Sequence, residues 1–205
     1  DLLRWLAERT NLLVIDEAYV EFADGDRMDL VRDLDNVCVT RSLSKAFGLA
    51  GVRIGYGVAR PEIIEALLRV KDSYNVSRFA QAAGAAALAD TDWAEAHWQG
   101  IRQRREAFGA ELQRRLGLTV YPSQANFLLV ECAPHDAADV QAGLESRRIL
   151  VRRFAGEPRV ANALRISIGS EAEMQAVISA LADMLGGNPT GGALGASGIA
   201  TQTAS

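Results

Sequence analysis

Apolar positions along this chain follow two alternating rhythms: short unbroken runs and longer stretches with helical spacing. Leu12-Leu-Val-Ile-Asp16 reads as a buried strand closing on a carboxylate. Val37-Cys-Val-Thr40 reads as a second short strand and Arg53-Ile-Gly-Tyr-Gly-Val58 as a third. Residues 1–9 have the look of an amphipathic helix end. Pro61 opens a helix that runs to Val70, because a first-turn residue has no intrahelical amide bond to lose. An Ala-rich helix covers about 78–89. Short apolar runs separated by helices predict parallel strands in an α/β layer. Asp92 with Glu95 has the spacing of a capping box, starting a long helix that reaches about Leu116.

Beyond that helix the rhythm changes. Leu118–Tyr121, Asn126–Glu131, Leu150–Arg152 and Leu164–Ile168 read as strands, with helices near 136–147 and 171–185. Ser170 followed by Glu173 is a capping box for the last helix. This half predicts a small α+β domain attached through the long helix. From Gly186 to Ser205 the chain is Gly, Ala, Ser and Thr with almost no charge, the composition of a disordered tail.

Bulk numbers narrow the classes. At 205 residues the chain can bury a substantial core, and its 49% hydrophobic and 23% charged content is that of a soluble globular protein. A net charge of −4 argues against general nucleic-acid binding, which favours a basic excess. No apolar run reaches the length of a membrane span, about 18 residues, and no basic, apolar leader stands at the N-terminus. Cys38 and Cys132 lie in or beside strand-like runs without a C-x-x-C spacing, so they read as two buried thiols suited to a reducing cytoplasm. The start at Asp1, already inside a helix-like pattern, reads as a cut end.

Lysine usage changes the picture. Only two of the 22 basic residues are lysines, Lys45 and Lys71. Arg stays protonated, whereas a Lys amine can lose its proton and attack a carbonyl. Lys45 sits in Thr40-Arg-Ser-Leu-Ser-Lys-Ala-Phe-Gly-Leu-Ala-Gly-Val-Arg53. Hydroxyls at Ser42 and Ser44, glycines at Gly48 and Gly51 and the cation of Arg53 surround it. Together they look like a site for a cofactor carrying an aldehyde and a phosphate. A lone lysine would read as an ordinary solvated charge; its neighbours argue otherwise. In open parallel sheets ligands bind at the carboxyl ends of strands, and Asp16 and the Ser42–Lys45 segment end the first two. A strand-end Asp capping a loop is the plain alternative for Asp16.

Read jointly, Asp16-Glu-Ala-Tyr19, Ser42-Leu-Ser-Lys45 and Arg53 resemble the cofactor core of fold-type I pyridoxal-phosphate-dependent aminotransferases, in particular the histidinol-phosphate aminotransferase family. The resemblance covers about residues 1–186. It implies an α/β fold: residues 1–92 as the C-terminal part of a large cofactor-binding domain with a mostly parallel sheet, and 93–186 as a small α+β C-terminal domain. The tail is 187–205. It further implies that Lys45 holds the aldehyde of pyridoxal 5'-phosphate and then moves protons. Asp16 pairs with the ring nitrogen, Tyr19 donates to the ring's phenolic oxygen, and Ser42, Ser44 and Arg53 hold the phosphate.

Leu164-Arg-Ile-Ser-Ile-Gly169 resembles the strand carrying the family's substrate-binding arginine, which makes Arg165 its counterpart. Ile149-Leu-Val-Arg152 resembles a preceding substrate-facing segment, with Arg153 next to it leaving the register open. Asn126, in Gln124-Ala-Asn-Phe-Leu, matches a family asparagine near the active site. For Arg152 and Arg165 the plain alternative is a solvated strand-end charge. The family uses an amino donor and a 2-oxo acid, acts as a cytoplasmic homodimer, and has an Asn-Pro-Thr-Gly motif in a preceding half. Asn188-Pro-Thr-Gly191 matches it at the wrong end and reads as a chance match. Threonine-phosphate decarboxylases and aromatic aminotransferases share most of these motifs. A fragment that binds cofactor weakly or serves only as a partner is the non-enzymatic reading.

Overall fold

In the computed structural model, which describes residues 2–186, the first strand and its neighbour set the frame for everything chemical. β1 (Leu13–Asp16) and β2 (Val37–Ser42) pair in parallel, with Leu13 opposite Val37 and Asp16 opposite Thr40. β3 (Gly55–Ala59) then lies beside β2 in the order β1-β2-β3. It runs antiparallel, Ser42 opposite Gly55, where the apolar runs had predicted a parallel strand. The cause lies in the connection. Parallel pairing needs a crossover, usually a helix, whereas here the Leu43 amide donates to the Ile54 carbonyl at 3.2 Å and the Leu49 amide to the Leu43 carbonyl at 3.1 Å. The chain folds straight back beside the end of β2.

The chain divides into two units, the first running through Gln103 and including Ser123–Asn126, the second formed by Arg104–Pro122 and the residues from Phe127 on. In the first, strand alternation builds the core. Leu13 and Ile15 pack against Val37 and Val39, with Leu30 and Val31 of helix α2 (Met28–Asp33) and Leu3 and Ala7 of helix α1 (Leu2–Ala7) beside them. Val14, on the other face of β1, is 55% exposed. The Asn36 amide ties α1 to β2 by donating to the Ala7 and Thr10 carbonyls at 2.7 and 2.9 Å. Helix α3 (Pro61–Val70) begins at the expected proline, and α4 (Arg78–Ala89) is capped by Ser77, whose hydroxyl accepts from the Ala80 amide. Gly84 lets α4 approach the strand connection, since a Cβ there would stand 2.9 Å from Ile54 Cδ1.

The long helix α5 spans Thr91–Leu116. Its start corrects the expected cap: Asp92 lies inside the first turn, where its charge favours the helix dipole, and the Ala94 amide donates to the Asp90 carbonyl at 3.2 Å.

The second unit holds a fully antiparallel sheet of β4 (Thr119–Val120), β5 (Phe127–Glu131), β6 (Arg152–Arg153) and β7 (Ala163–Ser167), ordered β4-β5-β7-β6. The third of these strands starts later than the apolar pattern of Leu150–Arg152 predicts, because Leu150 stays 82% exposed. Helices α6 (Ala137–Ser146) and α7 (Glu171–Leu185) complete the unit. Met174, Val177, Ile178 and Leu181 of α7 are buried at helical spacing, as are Leu128 and Val130 of β5 and Leu164 and Ile166 of β7 at strand spacing. The predicted capping box is present: the Glu173 amide donates to Ser170 Oγ, and Glu173 Oε2 accepts from the Ser170 amide at 2.7 Å. These bonds hold the Glu173 carboxyl below its usual range.

Among the described residues no helix is long and apolar enough to cross a membrane. Cys38 and Cys132 are free and buried, as expected, and burial pushes the Cys132 thiol up to about 11. The charge-poor tail and Asn188-Pro-Thr-Gly191 lie outside the described residues.

Candidate active site

Parallel pairing of β1 with β2 brings their carboxyl ends to one edge. Asp16 closes β1, and the next amide, of Glu17, donates to the Thr40 carbonyl at 2.8 Å, extending the ladder by one bond. Asp16 Oδ1 accepts from the Ala18 amide at 3.0 Å. That local bond turns the chain out of the strand and leaves the carboxyl exposed at the edge. Tyr19 follows, just before a single 3-10 turn at Val20–Phe22.

From the end of β2 the chain presents the hydroxyls and the amine. Ser42 Oγ accepts from the Ser44 amide at 3.1 Å, a turn that directs the following residues away from the strand. Leu43 and Ala46 are buried, while Lys45 between them is exposed. Lys45 Nζ stands 5.9 Å from the centroid of the Tyr19 ring, within cation–π range. Gly48 (φ 67°) takes the left-handed turn that closes this loop. Arg53 is also left-handed, at φ 59° and ψ 50°, and donates to the Ala50 carbonyl at 3.0 Å. It stands two residues before Gly55, the register partner of Ser42.

The first unit thus gathers Asp16, Tyr19, Ser42, Ser44, Lys45 and Arg53 at the ends of β1 and β2. Asn126 belongs to the same unit through the Ser123–Asn126 segment. Gln124 anchors that segment: its Oε1 accepts from the Asp24 amide and its Nε2 donates to Asp24 Oδ2, both at 2.7 Å.

Arg152 and Arg165 lie in the second unit. They are direct cross-strand partners, with Arg152 opposite Arg165 in the β6–β7 register, so both side chains leave the same face. Arg165 lies over the Phe127 ring at 4.5 Å and Arg152 over the Phe154 ring at 5.1 Å. Two like charges placed opposite each other repel, and a planar fork at each position suits a carboxylate or phosphate. Arg153, pairing with Leu164, points to the other face.

Sequence reasoning missed the support beneath these residues. Glu17, directly after Asp16, is buried at 7% exposure, and its Oε2 lies 2.9 Å from Arg41 Nη2, directly before Ser42. Arg41 also pairs with Asp26 at 2.9 Å, and Glu17 Oε1 accepts from the Arg27 amide at 2.6 Å. Burial opposes the Arg41 charge, yet the bonds to Asp26, Glu17 and Tyr56 raise its pKa above the ordinary value. Asp26 is held low by the Met28 amide and then by Arg41. Glu21, by contrast, is pushed up by burial. Glu21, Asp26, Arg41, Tyr56 and Trp98 line a cavity of about 410 Å³. An acidic neighbour two positions from an aromatic was the available signal for Glu17; its partner lies 24 positions away and carries no local mark.

The donor set fits a cofactor bearing an aldehyde, a ring nitrogen, a phenolic oxygen and a phosphate. It offers one exposed amine, one exposed carboxyl, one phenol, two hydroxyls and an exposed guanidinium, all in one unit. An α/β unit presenting an exposed lysine at the carboxyl edge of a parallel strand pair has the framework of the pyridoxal-phosphate-dependent transferases. The chain belongs to the class I and II aminotransferase family, whose model matches residues 1–181.

A histidinol-phosphate aminotransferase of Geobacter sulfurreducens is 49% identical over 173 residues, covering 84% of this chain and 49% of the relative. The chain therefore spans about half the length of the curated relatives it matches. The crystal structure of histidinol-phosphate aminotransferase from Sinorhizobium meliloti in complex with pyridoxal-5'-phosphate superimposes with a TM-score of 0.77 at 32% identity, over 89% of this chain and 52% of that one. The L-threonine-O-3-phosphate decarboxylase of Porphyromonas gingivalis is similar too, with a TM-score of 0.78 at 25% identity, over 90% of this chain and 57% of that one.

Proposed function

We propose that this chain carries the lysine-bearing part of a pyridoxal-phosphate-dependent aminotransferase that interconverts histidinol phosphate and 2-oxoglutarate with imidazole-acetol phosphate and glutamate, a step of histidine biosynthesis. The observation that carries the reading is the convergence of Asp16, Tyr19, Ser42, Ser44, Lys45 and Arg53 at one strand edge. Identity of 49% to a relative of that name supports the choice of substrate. We further propose that the complete enzyme is a cytoplasmic homodimer in which residues 1–92 belong to the cofactor domain and 93–186 to the small domain.

When bound, pyridoxal phosphate supplies an electron sink that stabilises negative charge on a substrate carbon. The protein's part is to bind and to move protons. Lys45 Nζ would be the amine that holds the cofactor through its aldehyde, and once freed it would serve as the base and acid that moves the substrate proton. Its exposed position on a loop closed by buried neighbours gives it that reach. Asp16 would hold a proton on the ring nitrogen, and Tyr19 would donate to the ring's phenolic oxygen. Ser42, Ser44 and Arg53 would fix the phosphate by hydroxyl and charge-assisted bonds. Arg152 and Arg165 present two forks on one face, able to take the α-carboxylate of glutamate in one half-reaction and a phosphate monoester in the other. Asn126 completes the substrate contacts.

The test supplies the purified chain with pyridoxal phosphate, histidinol phosphate and 2-oxoglutarate. Formation of glutamate in step with loss of 2-oxoglutarate is the expected result. Release of carbon dioxide from threonine phosphate without glutamate formation would replace this reading by a decarboxylase. Cofactor binding without either product would overturn it in favour of a non-catalytic role.

A further inference from the structure

Lys45 is exposed, yet the residue after it is fully buried, and one side chain from a distant part of the sequence reaches that point. Trp98, on the first turns of α5, donates its indole N–H to the Ala46 carbonyl at 2.8 Å. The same indole meets the Phe47 ring edge-on, with centroids 5.3 Å apart and planes at 83°. A single residue thus contacts both positions that follow the lysine, one by a hydrogen bond and one by an aromatic contact.

The remaining bonds of the loop run within it. Gly48 donates to the Lys45 carbonyl at 3.4 Å, Leu49 to Leu43 at 3.1 Å, and Val52 to Leu49 at 3.0 Å. These shape the loop, and the Leu43–Ile54 bond fixes its foot beside the β2–β3 pair, but none of them holds the Lys45–Phe47 stretch to another element. α5 is such an element, 26 residues long, with Ala94 buried one turn before Trp98. Without an outside partner the Ala46 carbonyl, on a residue with 0% exposure, would be cut off from solvent and unsatisfied.

We infer that Trp98 is a positioning residue for Lys45: its indole N–H, bonded to the Ala46 carbonyl, sets the direction in which the lysine leaves the loop and so the rate at which it bonds the cofactor. This rests on the cofactor reading above. Tyr19, whose ring Lys45 Nζ faces, gives the other bound of that direction.

The chain's own composition provides the test, because Lys71 is the only other lysine and serves as an internal control. The full chain, with Trp98 or Trp98→Phe, is incubated with pyridoxal phosphate and reduced with borohydride, and the adduct at each lysine is measured by peptide mass spectrometry over time. Phenylalanine keeps a ring for Phe47 while removing the donor together with the five-membered ring that carries it. Trp98→Ala removes both contacts, and Tm is recorded for each variant. The expected result is a Lys45 adduct that forms about threefold to tenfold more slowly in Trp98→Phe, the range set by one net hydrogen bond, with Lys71 labelling unchanged. Amide exchange over residues 43–49, measured without cofactor, is expected to speed up in parallel. A Lys45 rate equal to that of the unchanged chain, with Lys45 labelling normal in both, would overturn the positioning role and leave the cofactor reading standing. No preference for Lys45 over Lys71 in the unchanged chain would overturn both.

Discussion

The two units solve the problem of burying apolar surface differently. The second closes on itself: four antiparallel strands, helices α6 and α7 and the C-terminal part of α5 bury Phe108, Leu112, Leu144, Leu164, Ile178 and Leu181 at 2% exposure or less. The first buries a strand-centred cluster but leaves much outside. Of the large apolar side chains exposed among the described residues, all but Tyr121 and Leu150 belong to it, including Tyr74 at 95% and Phe79 at 90%. Its sheet has three strands, with β1 pairing only with β2 among the described residues. The unit that gathers the lysine, the carboxylate and the hydroxyls is the one whose own packing is less complete. What holds its reactive edge is polar: the Glu17–Arg41–Asp26 network and the Trp98 bond to Ala46.

Different substitutions should therefore damage the two units in different ways. The largest losses are expected from Phe108→Ala in the second unit, about 3–5 kcal/mol for a buried aromatic, read as a lower denaturation midpoint. Glu17→Ala should cost less, about 1–3 kcal/mol, because Arg41 keeps Asp26 as a partner while the Arg27 amide loses its acceptor. Its effect should appear as faster amide exchange at β1 and β2 alone, with the second unit protected as before. Phe79→Ser, at an exposed position of the first unit, should change stability by no more than about 0.5 kcal/mol. An effect as large as that of Phe108→Ala would show that the first unit's surface is not the incomplete one.

Effects confined to one helix terminus sharpen the comparison further. Ser170→Ala removes the cap of α7 and should cost about 1 kcal/mol. The Glu173 carboxyl is lowered by its bonds to Ser170, so its contribution is complete above its unfolded pKa and is lost as pH falls through the lower folded value. Glu173→Gln should lower the second unit's stability near neutrality and leave it little changed in strong acid, so that the acid limb flattens. An acid limb of equal slope in the two proteins would contradict the capping bond.

What could be read along the chain was what is local. Strand alternation at Leu13–Asp16, the proline start at Pro61 and the Ser170–Glu173 box all act within a few residues, and the structure has them. The direction of β3 was not legible, because it depends on how a loop closes rather than on apolar spacing. Asp92 was misplaced as a cap, since it stands inside the first turn of a helix that begins at Thr91. Asp16 and the Ser42–Lys45 segment share one edge because the β1–β2 register sets Asp16 opposite Thr40, while Tyr19 and Arg53 are placed by the turns beside them. The supports stayed hidden for a related reason: Glu17 and Arg41 are separated by 24 positions, and Ala46 and Trp98 by 52, and only register and packing join them.

The central claim is that the first unit's edge equips one lysine for covalent cofactor chemistry. The most direct measurement is a site map of borohydride-fixed pyridoxal phosphate on the purified chain, alongside its Lys45→Arg variant. The account predicts adduct at Lys45, little at Lys71, and none above the Lys71 background in the variant. Equal labelling of both lysines, or a variant that keeps the full adduct yield, would contradict it.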